Sequence, residues 1–192
     1  MRRAFLLAAL LGWSTAAYAA ESSPAEAFIM RSDAAFRAIG AAAPGAPRIA
    51  ACDRFAEAAF DLASLSRTVA GGTLWDGLAE GKRARFRAAL HARLAADCAR
   101  DDRPGTLALL ATRQRRGDVS VTSRLLRADG SERILVWRLR AGGPWGWQAT
   151  DVAADGMTLG TRLHDEVLAA LDAAGGDVDA AIGALARGAT RP

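Results

Sequence analysis

The chain has 192 residues, of which 51% are hydrophobic and 24% charged, and its formal net charge is +4. This length is enough for one domain with a sizeable core. The positive excess falls to about +2 without the two arginines of the N-terminal leader, and so small an excess gives no reason to expect a nucleic-acid partner.

The N-terminus has the three parts of a secretory signal peptide. Met1-Arg2-Arg3 is positively charged, residues 4–11 are apolar, and Ala17-Tyr18-Ala19 is a small-residue cleavage pattern. The apolar run is shorter than the roughly 20 residues that span a bilayer, so it is not interpreted as a membrane anchor. We therefore predict a signal peptide over 1–19 and one mature domain over 20–192. The leader partly resembles a twin-arginine signal, but its very short positive region favours the general export route.

Cys52 and Cys98 are the two cysteines of the chain. An even number in an exported protein, with no His or further Cys at ligand spacing, favours a disulfide between them. Two buried free thiols are the alternative. A catalytic cysteine is disfavoured, because the sequence pairs neither one with a His or an acid.

The first part of the mature chain is predicted to be helical. Ser23-Pro24-Ala25-Glu26 is a capping box with proline at the first helical position, and a helix is expected over 24–39. A second helical segment is expected to carry Ile49, Cys52, Phe55 and Phe60, and Asp61 to cap a third. Gly71-Gly72 is interpreted as a helix stop rather than a phosphate loop, because the P-loop lysine is missing.

The longest helix is expected over 78–100 and has two faces. Its apolar row, which is expected to face a core, contains Phe86, Leu90, Leu94 and Cys98. The basic residues on its remaining surface are Lys82, Arg83, Arg85, Arg87 and Arg93. They suit lipid head groups or a membrane-bound partner, but a solvated helix face explains them as well and is the favoured interpretation.

Four strands are expected in the second half of the chain. They cover residues 106–114, 118–127, 132–140 and 145–152. Asp129-Gly130 between the second and third strands is a strong hairpin signal, and glycines mark the other turns. The strands are therefore predicted to form an antiparallel meander.

The third predicted strand is apolar on both sides. Ile134 and Val136 point one way, and the residues that point the other way are Leu135, Trp137 and Leu139. Such a strand is expected to be covered on both faces. Either ordinary core or a captured apolar ligand satisfies this requirement, and ordinary core is the favoured starting interpretation.

The C-terminal part is predicted to be a turn followed by two helices. Asp155-Gly156 supplies the turn, and Asp177 caps the last helix. His164 lies beside the apolar stripe of the first of these helices, where a lone histidine is more often structural than a ligand. With two histidines in the chain and no H-x-x-H or H-x-x-x-H spacing, a metal site is not expected.

Two segments of the chain carry a family resemblance. The first is Phe60-Asp61-Leu62-x-x-Leu65-Ser66-Arg67 with Gly71, Trp75 and the Lys82-Arg83-x-x-Phe86 run, and the second is Trp147-x-x-x-Asp151-Val152-x-x-Asp155-Gly156-Met157-Thr158-Leu159. In this order the segments resemble the two signatures of the MlaC, or toluene-tolerance, family, and the first is also similar to an HpnM-like branch that accompanies hopanoid biosynthesis. The chain departs from the family pattern at Cys98, Leu163 and His164.

The resemblance implies an α+β fold, with a four-stranded antiparallel meander covered by N-terminal and C-terminal helices around an apolar cavity. It also implies a monomeric periplasmic carrier that shuttles phospholipid between an inner-membrane transport complex and an outer-membrane lipoprotein complex, with no cofactor besides its lipid cargo. Burial of acyl chains requires an apolar lining and no catalytic residue. The expected lining residues are Phe86, Leu90, Leu107, Leu109, Val119, Val121, Leu135, Trp137, Leu139 and Leu163, although the parity of each strand is open.

Three other functions compete with a phospholipid carrier. One is a hopanoid-associated carrier of the same family, and another is a periplasmic adaptor with a filled core. The third is a cone-shaped isomerase or dehydratase that acts on a small apolar substrate, for which Asp151 and His164 would be the catalytic candidates. No nucleophile elbow or metal spacing supports that enzyme.

Overall fold

The computed structural model describes residues 22–100, 105–115 and 118–188. The predicted signal peptide and its cleavage site lie outside these residues. None of the described helices has the length and apolar character needed to cross a membrane.

The order of elements is helical, then strand, then helical again. The helices are α1 Pro24–Ala41, α2 Ala46–Ala59, α3 Leu62–Ala70, α4 Gly72–Gly77, α5 Glu80–Arg100, α6 Leu159–Ala173 and α7 Val178–Arg187. The strands are β1 Gly105–Arg115, β2 Asp118–Arg127, β3 Glu132–Ala141, β4 Trp147–Ala154 and β5 Met157–Thr158.

The predicted helix caps are confirmed. Glu26 N donates to Ser23 Oγ at 3.3 Å while Ser23 N donates to Glu26 Oε2 at 2.9 Å, which completes the capping box of α1. Asp61 Oδ1 accepts from Ser64 N at 3.1 Å at the start of α3. Asp177 caps α7 in the same way, because its Oδ1 accepts from Asp179 N at 2.9 Å.

The structure corrects two details of the predicted element order. The sheet has five strands rather than four, because the Asp155-Gly156 turn, with φ of 53° and 83°, returns the chain against β4 as β5. All pairs are antiparallel, in the order β1-β2-β3-β4-β5. Gly71 ends α3 as predicted, but one further turn, α4, precedes the long helix.

The two faces of the sheet differ in their cover. We call inner the face that α1 contacts, where Phe28 and Ile29 pack on Val119 and Val121. The opposite, outer face is largely solvated, and Ile134 on it is 45% exposed. The expectation that β3 is covered on both sides is therefore wrong for this residue.

Within the described residues, the buried side chains form three clusters. The helical cluster, built mainly from α3, α5, α6 and α7, includes Leu65, Leu90 and Leu163. The sheet cluster combines α1 with the inner face, and Phe60 packs against both of these clusters. The third cluster surrounds the disulfide between Cys52 and Cys98, which joins α2 to α5 and confirms the predicted pairing.

Most of the basic side chains of α5 are held by the protein itself. Lys82 and Arg85 both pair with Asp179 of α7, and Arg87 pairs with Glu80. Arg83 donates to the backbone oxygens of Trp75 and Asp76, at 3.1 Å each. Arg93 is buried and pairs with Asp97 and Glu166. These contacts join α5 to α4, α6 and α7, so this basic surface links neighbouring helices while most of its side chains stay exposed.

Glu26 gives the fold an acid-sensitive contact between α1 and the sheet. The hydrogen bond that Thr112 of β1 donates to its carboxylate, with that from the Ser23 backbone, lowers the pKa of Glu26 below its usual 4.5. Because the folded pKa is the lower one, this stabilisation is present above about pH 4.5 and is lost as the pH falls through the folded pKa.

We expect Glu26→Gln to lower the free energy of unfolding by about 0.5 kcal/mol at pH 7, because glutamine keeps the capping-box acceptor but loses the negative charge near the start of α1 and the charge-assisted bond from Thr112. Urea unfolding of both proteins at pH 7 and pH 3 measures this effect. The difference between them should shrink at pH 3, because the unfolded-state carboxylate, with its usual pKa of 4.5, is protonated before the folded one. An equal difference at both pH values would show that the charge of Glu26 is not involved.

Candidate functional site

The pairing register determines which side chains share the inner face. Across β2 and β3, Val121 lies opposite Trp137 and Ser123 opposite Leu135. A register shift in β1 between Leu109 and Ala111 moves the facing residue from Leu109 to Thr112. A second register shift lies in β4, between Asp151 and Ala149, which pair with Arg138 and Leu139 of β3. Because of this shift, both Ala149 and Val152 lie on the inner face.

The inner face is divided into a covered half and an open half. The covered half lies under α1 and α2 and contains the fully buried Val119, Val121, Leu139 and Ala149. The open half keeps part of each side chain accessible and contains Leu107, Leu109, Leu125, Leu135, Trp137, Val152 and Ala154. Met157, 52% exposed, continues this surface on β5 opposite Ala154. An apolar surface of this kind, at the edge of a core, is typical of a binding site.

Few polar groups interrupt the open half. Ser123 is the buried polar residue in its centre, and its hydroxyl accepts a 2.9 Å hydrogen bond from Trp137 Nε1. This bond satisfies the indole N–H and fixes the ring to the neighbouring strand. The remaining surface offers methyl and methylene groups, so its chemistry favours a hydrocarbon ligand.

The structure brings together some of the predicted lining residues and not others. Those with accessible surface on the open half are Leu107, Leu109, Leu135 and Trp137. Those packed in the covered half are Val119, Val121 and Leu139. Those inside the helical cluster, each at most 1% exposed, are Phe86, Leu90 and Leu163. Contact between a ligand and either buried group requires helices to move away.

Sequence reasoning missed Leu125, Val152, Ala154 and Met157 as parts of this surface. For Leu125 a signal was available, because it has the same parity on β2 as Val119 and Val121. Its side chain lies across Gly105, where an added Cβ would come within 2.5 Å of Leu125 Cδ1. Val152 and Ala154 follow a bulge that shifts the parity of β4, so strand alternation alone does not place them.

Two clefts lie away from the inner face. One, of 490 Å³, is lined by Arg54, Glu57, Ala58, Pro144 and Gln148. The other, of 670 Å³, lies between α4 and the turn from α6 to α7 and includes Leu74, Leu168 and Val178. Both are open to solvent and neither contains a residue of the predicted lining.

The two side chains considered for catalysis both have structural contacts. Asp151 Oδ1 accepts from Val152 N at 2.9 Å and from Gly160 N at 3.0 Å, which holds the start of α6 against β4. His164 Nδ1 lies 2.9 Å from the backbone oxygen of Val69 and so ties α6 to α3. Among the described residues, no group of three or more His, Cys, Asp or Glu side chains is placed to hold a metal ion.

The role of Asp151 is tested by comparing its amide and alanine variants. Asp151→Asn keeps an oxygen acceptor, and we expect it to cost little stability, whereas Asp151→Ala should lower the free energy of unfolding by about 1 to 3 kcal/mol because Gly160 N loses its buried partner. Urea unfolding of both variants measures the difference. Equal losses would mean that the charge, rather than the acceptor, matters at this position.

Comparison with known proteins agrees with this architecture. The family model described as MlaC protein matches residues 35–187, which is most of the chain and includes both sequence signatures. The chain belongs to the MlaC family. The resemblance of the two segments is thereby confirmed.

A solved structure supports the same fold for this MlaC family member. It is a phospholipid-binding protein from Ralstonia solanacearum in complex with a phospholipid, and it is similar with a TM-score of 0.65 over 86% of this chain and 96% of that chain. Sequence identity is 18%, so the likeness concerns the fold. No curated protein matches the chain significantly.

Proposed function

We propose that this protein is a periplasmic carrier that binds the acyl chains of a phospholipid on the open half of the inner face. The observation that carries the proposal is this accessible apolar surface in a chain of the MlaC family. The phospholipid complex of the structurally similar Ralstonia solanacearum protein supports the same ligand class.

The physical need for such a carrier is large. Each CH₂ group is worth about 0.8 kcal/mol, so a diacyl lipid free in water is disfavoured by more than roughly 20 kcal/mol. A sheet surface of leucine, valine and alanine offers the acyl chains an environment close to that of a bilayer. The lipid then loads and leaves without a large net barrier, which is what transfer between two membranes requires.

The proposed carrier is exported by the signal peptide over 1–19 and functions as the single domain over 20–192. It moves phospholipid between an inner-membrane transport complex and an outer-membrane lipoprotein complex. It acts as a monomer, with lipid as cargo and without catalysis. The structural contacts of Asp151 and His164 favour a carrier over the isomerase or dehydratase alternative.

Native mass spectrometry of protein purified from the periplasm tests the proposal. We expect a second mass series above the apo mass, and solvent extraction should release phospholipid that accounts for the difference. Extraction of a hopanoid would identify the other carrier class. Protein that is reproducibly empty, and that takes up no lipid when mixed with phospholipid vesicles, would contradict a carrier function.

A further inference from the structure

Along β2 and β3 the inner face becomes more accessible toward the end that α1 does not cover, and this end carries basic side chains. Accessibility increases from Val121, which is fully buried, through Leu135 to Arg133, whose side chain is 51% exposed. Arg133 lies opposite Leu125 and has the parity of the inner face. Arg127, on the same face of β2, lies opposite Gly105 one step further out. Two arginines therefore mark the end of the apolar surface that α1 does not cover.

A phospholipid has one orientation on such a surface. Its acyl chains must lie on the apolar side chains, and its head group must stay in water because burial of an unpaired charge is costly. The other end of the face is filled by α1 side chains, including Phe28 and Ile29. The chains therefore point toward α1, and the head group remains beside Arg133.

Resting on the proposed lipid-carrier function, we propose that Arg133 binds the phosphate of the bound lipid, so that the site selects lipids with a phosphate head group over uncharged lipids with the same chains. The guanidinium has five N–H donors, and phosphate oxygens match its planar fork. Asp155 is its acidic partner, at 3.4 Å from Nε, and both side chains are about half exposed. So exposed an ion pair is weak and leaves the outer nitrogens of Arg133 available.

The other basic groups are less suited to this role. Those on α5 lie on a helix that packs mainly against α2, α3 and α7 rather than against the sheet. Arg124 lies on the same hairpin as Arg133 and pairs with Glu132 at 3.7 Å, but the alternation of β2 places it on the outer face. Arg124 is therefore a suitable control. Its exposure and its acidic partner are similar to those of Arg133, but its side chain lies on the opposite face of the sheet.

The experiment uses the mature protein freed of lipid by solvent extraction. Wild type, Arg133→Gln, Arg133→Lys and Arg124→Gln are each incubated with an equimolar mixture of phosphatidylglycerol and diacylglycerol that have identical acyl chains. Native mass spectrometry gives the ratio of the two bound lipids. Thermal unfolding confirms that each variant is folded, which we expect because both arginines are exposed.

For the wild type we expect phosphatidylglycerol to be preferred by about tenfold, the ratio that one charge-assisted hydrogen bond supports. Arg133→Gln should bring this ratio close to one, and Arg124→Gln should leave it unchanged. Arg133→Lys should keep part of it, because lysine retains the charge without the planar fork. A preference that survives in Arg133→Gln, or a wild type that binds both lipids equally, would overturn the role of Arg133 while leaving the carrier function in place.

Two further outcomes separate the alternatives. A wild type that binds neither lipid would overturn the carrier function and the head-group site together. Glycerol 3-phosphate tests whether the same arginine is a site for free phosphate. We expect it not to displace the lipid, because it has no acyl chains to bind the apolar surface, and displacement at equal concentration would contradict a lipid-specific site.

Discussion

Leu135→Trp should weaken lipid binding roughly thirtyfold while the protein still folds. Leu135 lies in the middle of the open half, opposite Ser123 on β2 and Ala154 on β4, and keeps part of its side chain accessible, so a larger ring can extend into the ligand site. The indole would occupy the volume of two to three acyl CH₂ groups. Their loss is worth about 2 kcal/mol, or roughly thirtyfold in affinity.

Ile134→Trp is the matched control for this variant. It makes the same change in volume one residue earlier on β3, on the solvated outer face, where Ile134 is 45% exposed. Titration of delipidated protein with a fluorescent phospholipid measures both affinities. Equal affinities for Leu135→Trp, Ile134→Trp and wild type would exclude the open half as the acyl-chain site.

Removal of the Cys52–Cys98 disulfide should have the largest effect on stability. The bond joins α2 to α5 across a sequence separation of 46 residues. In the chain-entropy model a loop of this length corresponds to about 3 to 4 kcal/mol of folding free energy. Both sulfurs are buried beside Ile39 and Ala95, so Cys52→Ala with Cys98→Ala avoids placing a new hydroxyl in this cluster.

Urea unfolding in the presence and absence of reductant measures the contribution of the disulfide. Reduced wild type and the double alanine variant should unfold at similar urea concentrations, both well below oxidised wild type. The stability of the alanine variant should not respond to reductant. If reductant leaves wild-type stability unchanged, the bond contributes little beyond the packing of α2 on α5.

Local signals predicted most of the secondary structure. The Ser23 to Glu26 capping box and the Asp61 and Asp177 caps are short-range hydrogen-bonding patterns, which the sequence shows directly. The sequence also predicts a turn at Asp155-Gly156. Whether the chain after this turn pairs with β4 as β5 depends on the backbone φ values of the two residues, which the sequence does not report. The short helix α4 after Gly71 was not predicted either, because it too depends on backbone conformation that the sequence does not report.

The lining residues could be predicted less completely than the secondary structure, because which side chains line the site depends on long-range packing. Phe86, Leu90 and Leu163 have the spacing of core-facing helix residues, but sequence does not say whether their partner is the sheet or another helix. In the structure that partner is mainly the other helices. On the strands, the two register shifts change parity within β1 and β4, so alternation identified Leu107 and Leu109 but not Val152.

Photo-crosslinking with a phospholipid that carries a diazirine near the end of one acyl chain tests the location of the site most directly. The mature protein is loaded with this lipid, irradiated, digested and analysed by mass spectrometry for modified residues. We predict crosslinks on β1, β3 and β4, centred on Leu109, Trp137 and Val152, which lie on the part of the open half nearest α1. Crosslinks concentrated instead on Phe86, Leu90 and Leu163 of the helical cluster would contradict a site on the open half of the inner face.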